Sequence, residues 1–126
     1  MLVRLIDSAR SKILVAAYSL MNRWVAEALI RAYRRGLEVK VVLDASQARA
    51  GGSQYWNLWL SGIKVRTIWD VRPMRYGFVV IDDDIVVASS FGFSRAEEGY
   101  ESDVVLQGEV VRRYSEEFER LWADTK

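Results

Sequence analysis

The stretch RYGFVVIDDDIVVASSFGFS, residues 75–94, decides how this chain is read. Two apolar runs, residues 78–81 and 85–88, flank Asp82, Asp83 and Asp84. Both runs are rich in β-branched side chains, and an acidic trio between them is turn chemistry. The stretch therefore predicts a β-hairpin. Neither run alternates apolar with polar residues, which predicts strands covered on both faces, in the middle of an α/β sheet.

Upstream of the hairpin, Leu2, Leu5, Ile6 and Ala9 recur at helical spacing. Residues 12–18, KILVAAY, predict a buried strand. Asn22 suits the cap of a helix whose core face is Val25, Ala28, Leu29 and Ala32, and Gly36 suits its end. Glu27 and Arg31 are expected to pair across one turn of that helix. Residues 37–43, LEVKVVL, predict a second strand, parallel to the first through a right-handed crossover. Residues 44–52, DASQARAGG, read as a mobile loop. Ser53 then caps a short helix whose Trp56 and Trp59, at helical spacing, are expected in the core. Residues 63–69 predict a third strand.

Downstream, residues 93–101 read as a polar loop and 103–106 as a short strand. Residues 109–122 form an amphipathic helix with Val111, Tyr114, Phe118 and Leu121 inward. The fold class expected is α/β, a single domain over residues 1–126 with a mixed sheet flanked by helices. A chain that opens inside a helix is also expected to be one domain of a longer protein.

Composition removes several chemistries. The 126 residues contain no Cys and no His, so thiolate and imidazole groups are absent from the sequence. No apolar run approaches the ~20 residues of a membrane-spanning helix, and the cytoplasm is the expected location. A formal net charge of +1 exerts no bulk pull on nucleic acid. Basic residues are mostly Arg, which fits a heat-adapted source.

The spacing within residues 75–94 resembles the phospholipase D superfamily signature: His-x-Lys, four residues, Asp, six residues, then Gly-Ser-x-Asn. The His position holds Arg75, the Lys position Gly77, the Gly position Ser89 and the Asn position Gly92. Asp82 and Ser90 keep the signature residue. Glu101 and the closing FERLW, residues 118–122, also look like the family frame. The resemblance implies a phospholipase D-like half-domain. In that superfamily two motif copies face each other, one His attacking phosphorus and the other protonating the leaving group. Without that nucleophile the expectation is a domain that is not an enzyme.

Degenerate single copies of this half-domain resemble the effector-binding part of TrmB-type archaeal transcription regulators. The function this implies is a non-catalytic sensing and dimerisation domain for a sugar or sugar phosphate. The alternative is a catalytically dead association module. Expected partners are that metabolite and a second copy of the chain, met through Phe91 and Phe93. No membrane is expected, and DNA only through a separate domain. No cofactor or metal is implied.

Ligand crevices in open α/β sheets lie outside the carboxyl ends of parallel strands. That rule places Tyr18, Asp44 and Trp69 at a candidate site, and the family geometry would add Arg75, Ser90 and Asp82. Arg75 offers a planar fork for a phosphate or carboxylate, or pairs with Asp82 or Asp44 as a structural ion pair. Tyr18 and Trp69 offer ring faces, and Asp44 and Ser90 offer partners for hydroxyls. Asp82, Asp83 and Asp84 suit a hairpin turn before they suit a hard metal. Arg31, Arg34 and Arg35 suit the helix dipole before they suit a phosphate.

Overall fold

A computed structural model describes residues 2–69, 77–89 and 104–125 of the protein. The predicted hairpin is β4 (Gly77–Ile81) and β5 (Ile85–Ser89), paired antiparallel with Ile81 opposite Ile85. Asp82 and Asp83 carry φ of 58° and 55°. Positive φ at the turn matches the twist of the flanking strands, and Asp tolerates it better than β-branched residues do.

Upstream lie α1 (Leu2–Asp7), β1 (Lys12–Ala17), α2 (Arg23–Arg34) and β2 (Glu38–Asp44). They are followed by α3 (Tyr55–Leu60) and β3 (Lys64–Ile68). Downstream are β6 (Val104–Gln107) and α4 (Val110–Ala123). The sheet runs β3-β2-β1-β4-β5-β6. β1, β2 and β3 are parallel, and each of β4, β5 and β6 reverses its neighbour. This is the mixed α/β architecture the sequence predicts.

Strand parity sorts the side chains into two cores. Ile13, Val15, Val41, Val79 and Val87 point to one face, where α1, α2 and α3 bury their apolar stripes. Leu14, Ala16, Val42, Phe78, Val80 and Val86 point to the other, which α4 covers with Val111, Phe118 and Leu121. Both faces of β4 are therefore buried, and its continuous apolar run follows from that.

Two local expectations need correction. Asn22 does cap α2, accepting from the Val25 N–H at 3.1 Å, but Glu27 pairs with Arg23 rather than Arg31. Arg31 instead reaches Asp7 with Nε at 3.1 Å and Nη2 at 3.0 Å, and Arg35 donates to the Ile6 and Ala9 carbonyls. These arginines fasten α1 to α2. Trp56 and Trp59 lie outside the core: in a six-residue helix the inward positions, three apart, are Tyr55 and Leu58.

Candidate functional site at one end of the sheet

Register fixes which candidates share an end of the sheet. Ala17, Leu43 and Thr67 are level across β1, β2 and β3, and Asp44 is level with Ile68. Tyr18, Asp44 and Trp69 therefore line one rim, at the carboxyl ends of the parallel strands. The first residue of β4, Gly77, and the last of β5, Ser89, pair at this same end. The chain leaves it at Trp69 and Ser89 and re-enters at Gly77 and Val104. Arg75 and Ser90 lie outside the described residues, as do Pro73, Phe91, Phe93 and Glu101.

The rim residues differ in character. Asp44 is buried, and its Oδ1 accepts from the Ser46 N–H at 2.9 Å and the Ser46 hydroxyl at 2.6 Å. Its backbone carbonyl accepts from the N–H groups of Gln47 and Ala48. The carboxylate thus closes the turn that leaves β2. Tyr18 is half-buried, and Trp69 is 75% exposed. With strands ~4.8 Å apart, β3 and β5 stand about 19 Å from each other across the sheet. Trp69 and the end of β5 cannot grip one phosphate; Tyr18, on the strand next to Gly77, can serve either.

Asp82 is set apart from this group. It follows Ile81, which is level with Ile13, at the amino end of β1 and roughly 20 Å along the strand from Tyr18. One carboxylate oxygen accepts from the Ser11 N–H at 2.8 Å, the Ser11 hydroxyl at 3.0 Å and the Lys12 N–H at 3.1 Å. The other accepts from the Arg10 N–H at 2.9 Å. Partial burial pushes the Asp82 carboxyl up, but the hydrogen bonds from Ser11, Arg10 and Lys12 outweigh it and hold the group below the usual carboxylate range. This motif aspartate anchors the hairpin turn to the start of β1.

Its neighbour Asp83 bonds Lys12 Nζ at 2.8 Å and the Ser115 hydroxyl at 2.8 Å, tying the turn to α4. Those contacts override burial and lower its pKa too. A cleft of about 560 Å³ opens here, lined by Lys12, Asp83, Val111, Arg112, Ser115 and Glu119. It lies at the opposite end of the sheet from Tyr18, and Asp83 already holds its lysine.

Gly77 is the residue whose meaning the sequence hid. A Cβ there would stand 2.8 Å from the Ala16 carbonyl oxygen and 3.1 Å from Ala17 Cα and Cβ. No side chain fits without displacing the backbone of β1, so the signature's Lys position is closed in this packing. Only the spacing to Asp82 marked the position.

The chain matches the family described as "Cardiolipin synthase, PLD-like domain" over residues 2–122. It belongs to this family. Among curated relatives, mouse mitochondrial cardiolipin hydrolase is 27% identical over 98% of this chain and 57% of its own length. Phospholipase D of Rickettsia bellii is 30% identical over 80% of this chain and 50% of its own. The chain spans about half the length of the curated relatives it matches.

Among solved structures, Nuc from Salmonella typhimurium, a phospholipase D family member, superposes with a TM-score of 0.88 at 27% identity. That match covers 99% of this chain and 86% of Nuc. The archaeal chromatin protein TrmBL2 matches with a TM-score of 0.68 at 18% identity, over 98% of this chain and 48% of its own, which shows the fold alone.

These findings overturn the functional expectation. A PLD-like match across nearly the whole chain, with relatives named hydrolase and phospholipase D, points to an enzyme family. It does not point to the sugar-sensing domain of a TrmB-type regulator or to a catalytically dead module. The expectation weighed a handful of motif positions, whereas the likeness is spread over the entire sheet and its helices. A sugar or sugar phosphate partner loses its support with it. Among the described residues no helix is long and apolar enough to cross a membrane.

Proposed function

We propose that this chain handles phosphodiesters as one half of a phospholipase D-type active site, with the rim at Tyr18, Asp44 and Trp69 bordering the substrate crevice. The observation that carries the proposal is the likeness to Nuc, at 27% identity over nearly the whole chain. In this chemistry an imidazole attacks phosphorus and the leaving alcohol takes up a proton. The 126 residues hold no histidine, so that imidazole comes from outside them. Residues 1–126 then act as a single domain that meets a second half across the rim. In pure solution that second half is another copy of the chain, which lacks histidine too, so the parent pair binds phosphodiesters without the attacking imidazole; the cytoplasm is the compartment of the proposal.

Arg75 occupies the signature's His position, and its guanidinium suits a phosphate oxygen there. The test installs the missing group. Arg75→His should raise hydrolysis of bis-p-nitrophenyl phosphate above that of the parent chain. Dibutyl phosphate should shift the amide resonances of Tyr18, Asp44 and Trp69 in the parent. A folded Arg75→His variant with unchanged turnover, together with no shift at the rim, would overturn the proposal.

A further inference from the structure

Four of the five tryptophans are at least half exposed, and two of them share α3. Trp56 is 50% exposed, Trp59 51% and Leu60 75%, side by side on one short helix. A buried helix face is already supplied by Tyr55 and Leu58, so these three serve no core. Their rings are ordered by edge contacts, Tyr55 on Trp56 at 4.9 Å and Trp56 on Trp59 at 5.7 Å between centroids. The guanidinium of Arg49 lies over Tyr55 at 5.2 Å and over Trp56 at 5.7 Å. Arg49 Nη2 also donates to the Tyr55 hydroxyl at 3.4 Å, and among the described residues its guanidinium has no carboxylate partner.

The patch stands next to the rim of the sheet. The Gln54 N–H, at the start of α3, donates to the Leu20 carbonyl at 2.8 Å, and Leu20 lies in the segment that leaves β1 past Tyr18. α2 leaves the same end and repeats the chemistry: Arg23 lies over Trp24 at 4.7 Å, and Trp24 is 52% exposed.

We infer that α3 and the loop before it form a docking patch for an anionic phospholipid bilayer, holding the lipid surface beside the rim of the sheet. Tryptophan with an adjoining aliphatic residue suits the boundary between headgroups and acyl chains, and arginine suits the anionic headgroups. Two other occupants fit less well. Bases of a single strand stack on free ring faces, but Trp56 is edged by two rings and faced by Arg49, and Leu60 offers nothing to stack on. A second copy meeting patch to patch across a two-fold axis would set Arg49 against Arg49.

This inference reaches beyond the phosphodiester proposal and stands or falls separately, because that proposal is read with water-soluble substrates. The parent chain should co-sediment with vesicles of equimolar phosphatidylcholine and phosphatidylglycerol, with a blue shift in tryptophan emission. It should bind phosphatidylcholine vesicles less. Trp56→Ser with Trp59→Ser should weaken the partition by about tenfold or more at an unchanged melting midpoint. If that pair lowers the midpoint, Leu60→Asp with Arg49→Gln carries the same expectation. A parent that stays in the supernatant overturns the inference, as does a folded patch variant that binds as the parent does. So does loss of oligonucleotide binding or of a dimer in the patch variants when the parent binds no vesicles.

Discussion

At the scale of single residues, Asp82 and Gly77 show how one motif can be kept in part for structure and altered in part for packing. Asp82 takes hydrogen bonds from three consecutive backbone N–H groups, those of Arg10, Ser11 and Lys12. Hydrogen bonds to a charged acceptor are the stronger kind, so Asp82→Asn should cost about 2–3 kcal/mol, read as a lower urea midpoint at neutral pH. The sign of its pH dependence follows from the depressed pKa it shares with Asp83. The stability each carboxylate contributes is present above its unfolded pKa and is lost as pH falls through the lower, folded one. The parent should therefore lose stability below about pH 4, and Asp82→Asn should lose less over the same window. An identical acid profile in the variant would refute this account of Asp82. At Gly77 the clash is with backbone, so Gly77→Ala should destabilise by about 1–3 kcal/mol, and Gly77→Lys by no less. A Gly77→Ala protein as stable as the parent would mean that β4 moves away from β1 freely.

At the scale of elements, the two layers differ in redundancy. Three helices share one face of the sheet, whereas α4 is the only described helix on the other. Phe118, fully buried between α4 and the strands, stacks on Trp122 at 5.8 Å. Phe118→Ala should cost about 3–5 kcal/mol in chemical denaturation, a loss no neighbouring helix offsets. The tie between α1 and α2 is of another kind. Asp7 and Arg31 make a well-aligned pair, but both side chains are nearly half exposed to water. Asp7→Ala should change stability by less than about 1 kcal/mol. A larger loss would show that α1 docks through this pair rather than through Leu2 and Ile6.

At the scale of the whole molecule, the sheet sets two groups of residues about 20 Å apart. The turn of the hairpin, with Asp82 and Asp83, fastens β1, β4 and α4 together at one end. The rim with Tyr18, Asp44 and Trp69 lies at the other, beside the exposed tryptophans of α3. Pairing of two halves would cover the rim and leave the α3 patch facing outward. Sedimentation equilibrium should accordingly find a homodimer at micromolar concentration that Trp56→Ser with Trp59→Ser leaves intact. A monomer would remove the pairing from the proposed function.

The succession of elements was legible in the sequence because it is written in short-range periodicity. Continuous apolar runs at 78–81 and 85–88 meant a doubly covered hairpin, Asn22 meant a helix start, and the βαβ pattern meant parallel strands. Each of these signals needs only a few neighbouring residues. The partners of individual side chains were not legible. Asp82 bonds to residues about seventy positions away, Arg31 chooses Asp7 over the nearer Glu27, and Gly77 is glycine because of what β1 places beside it. The tryptophans of α3 obey helical spacing yet point to solvent, since the helix is too short to bury more than one side. Periodicity tells which residues share a face; only the assembled sheet decides what that face meets.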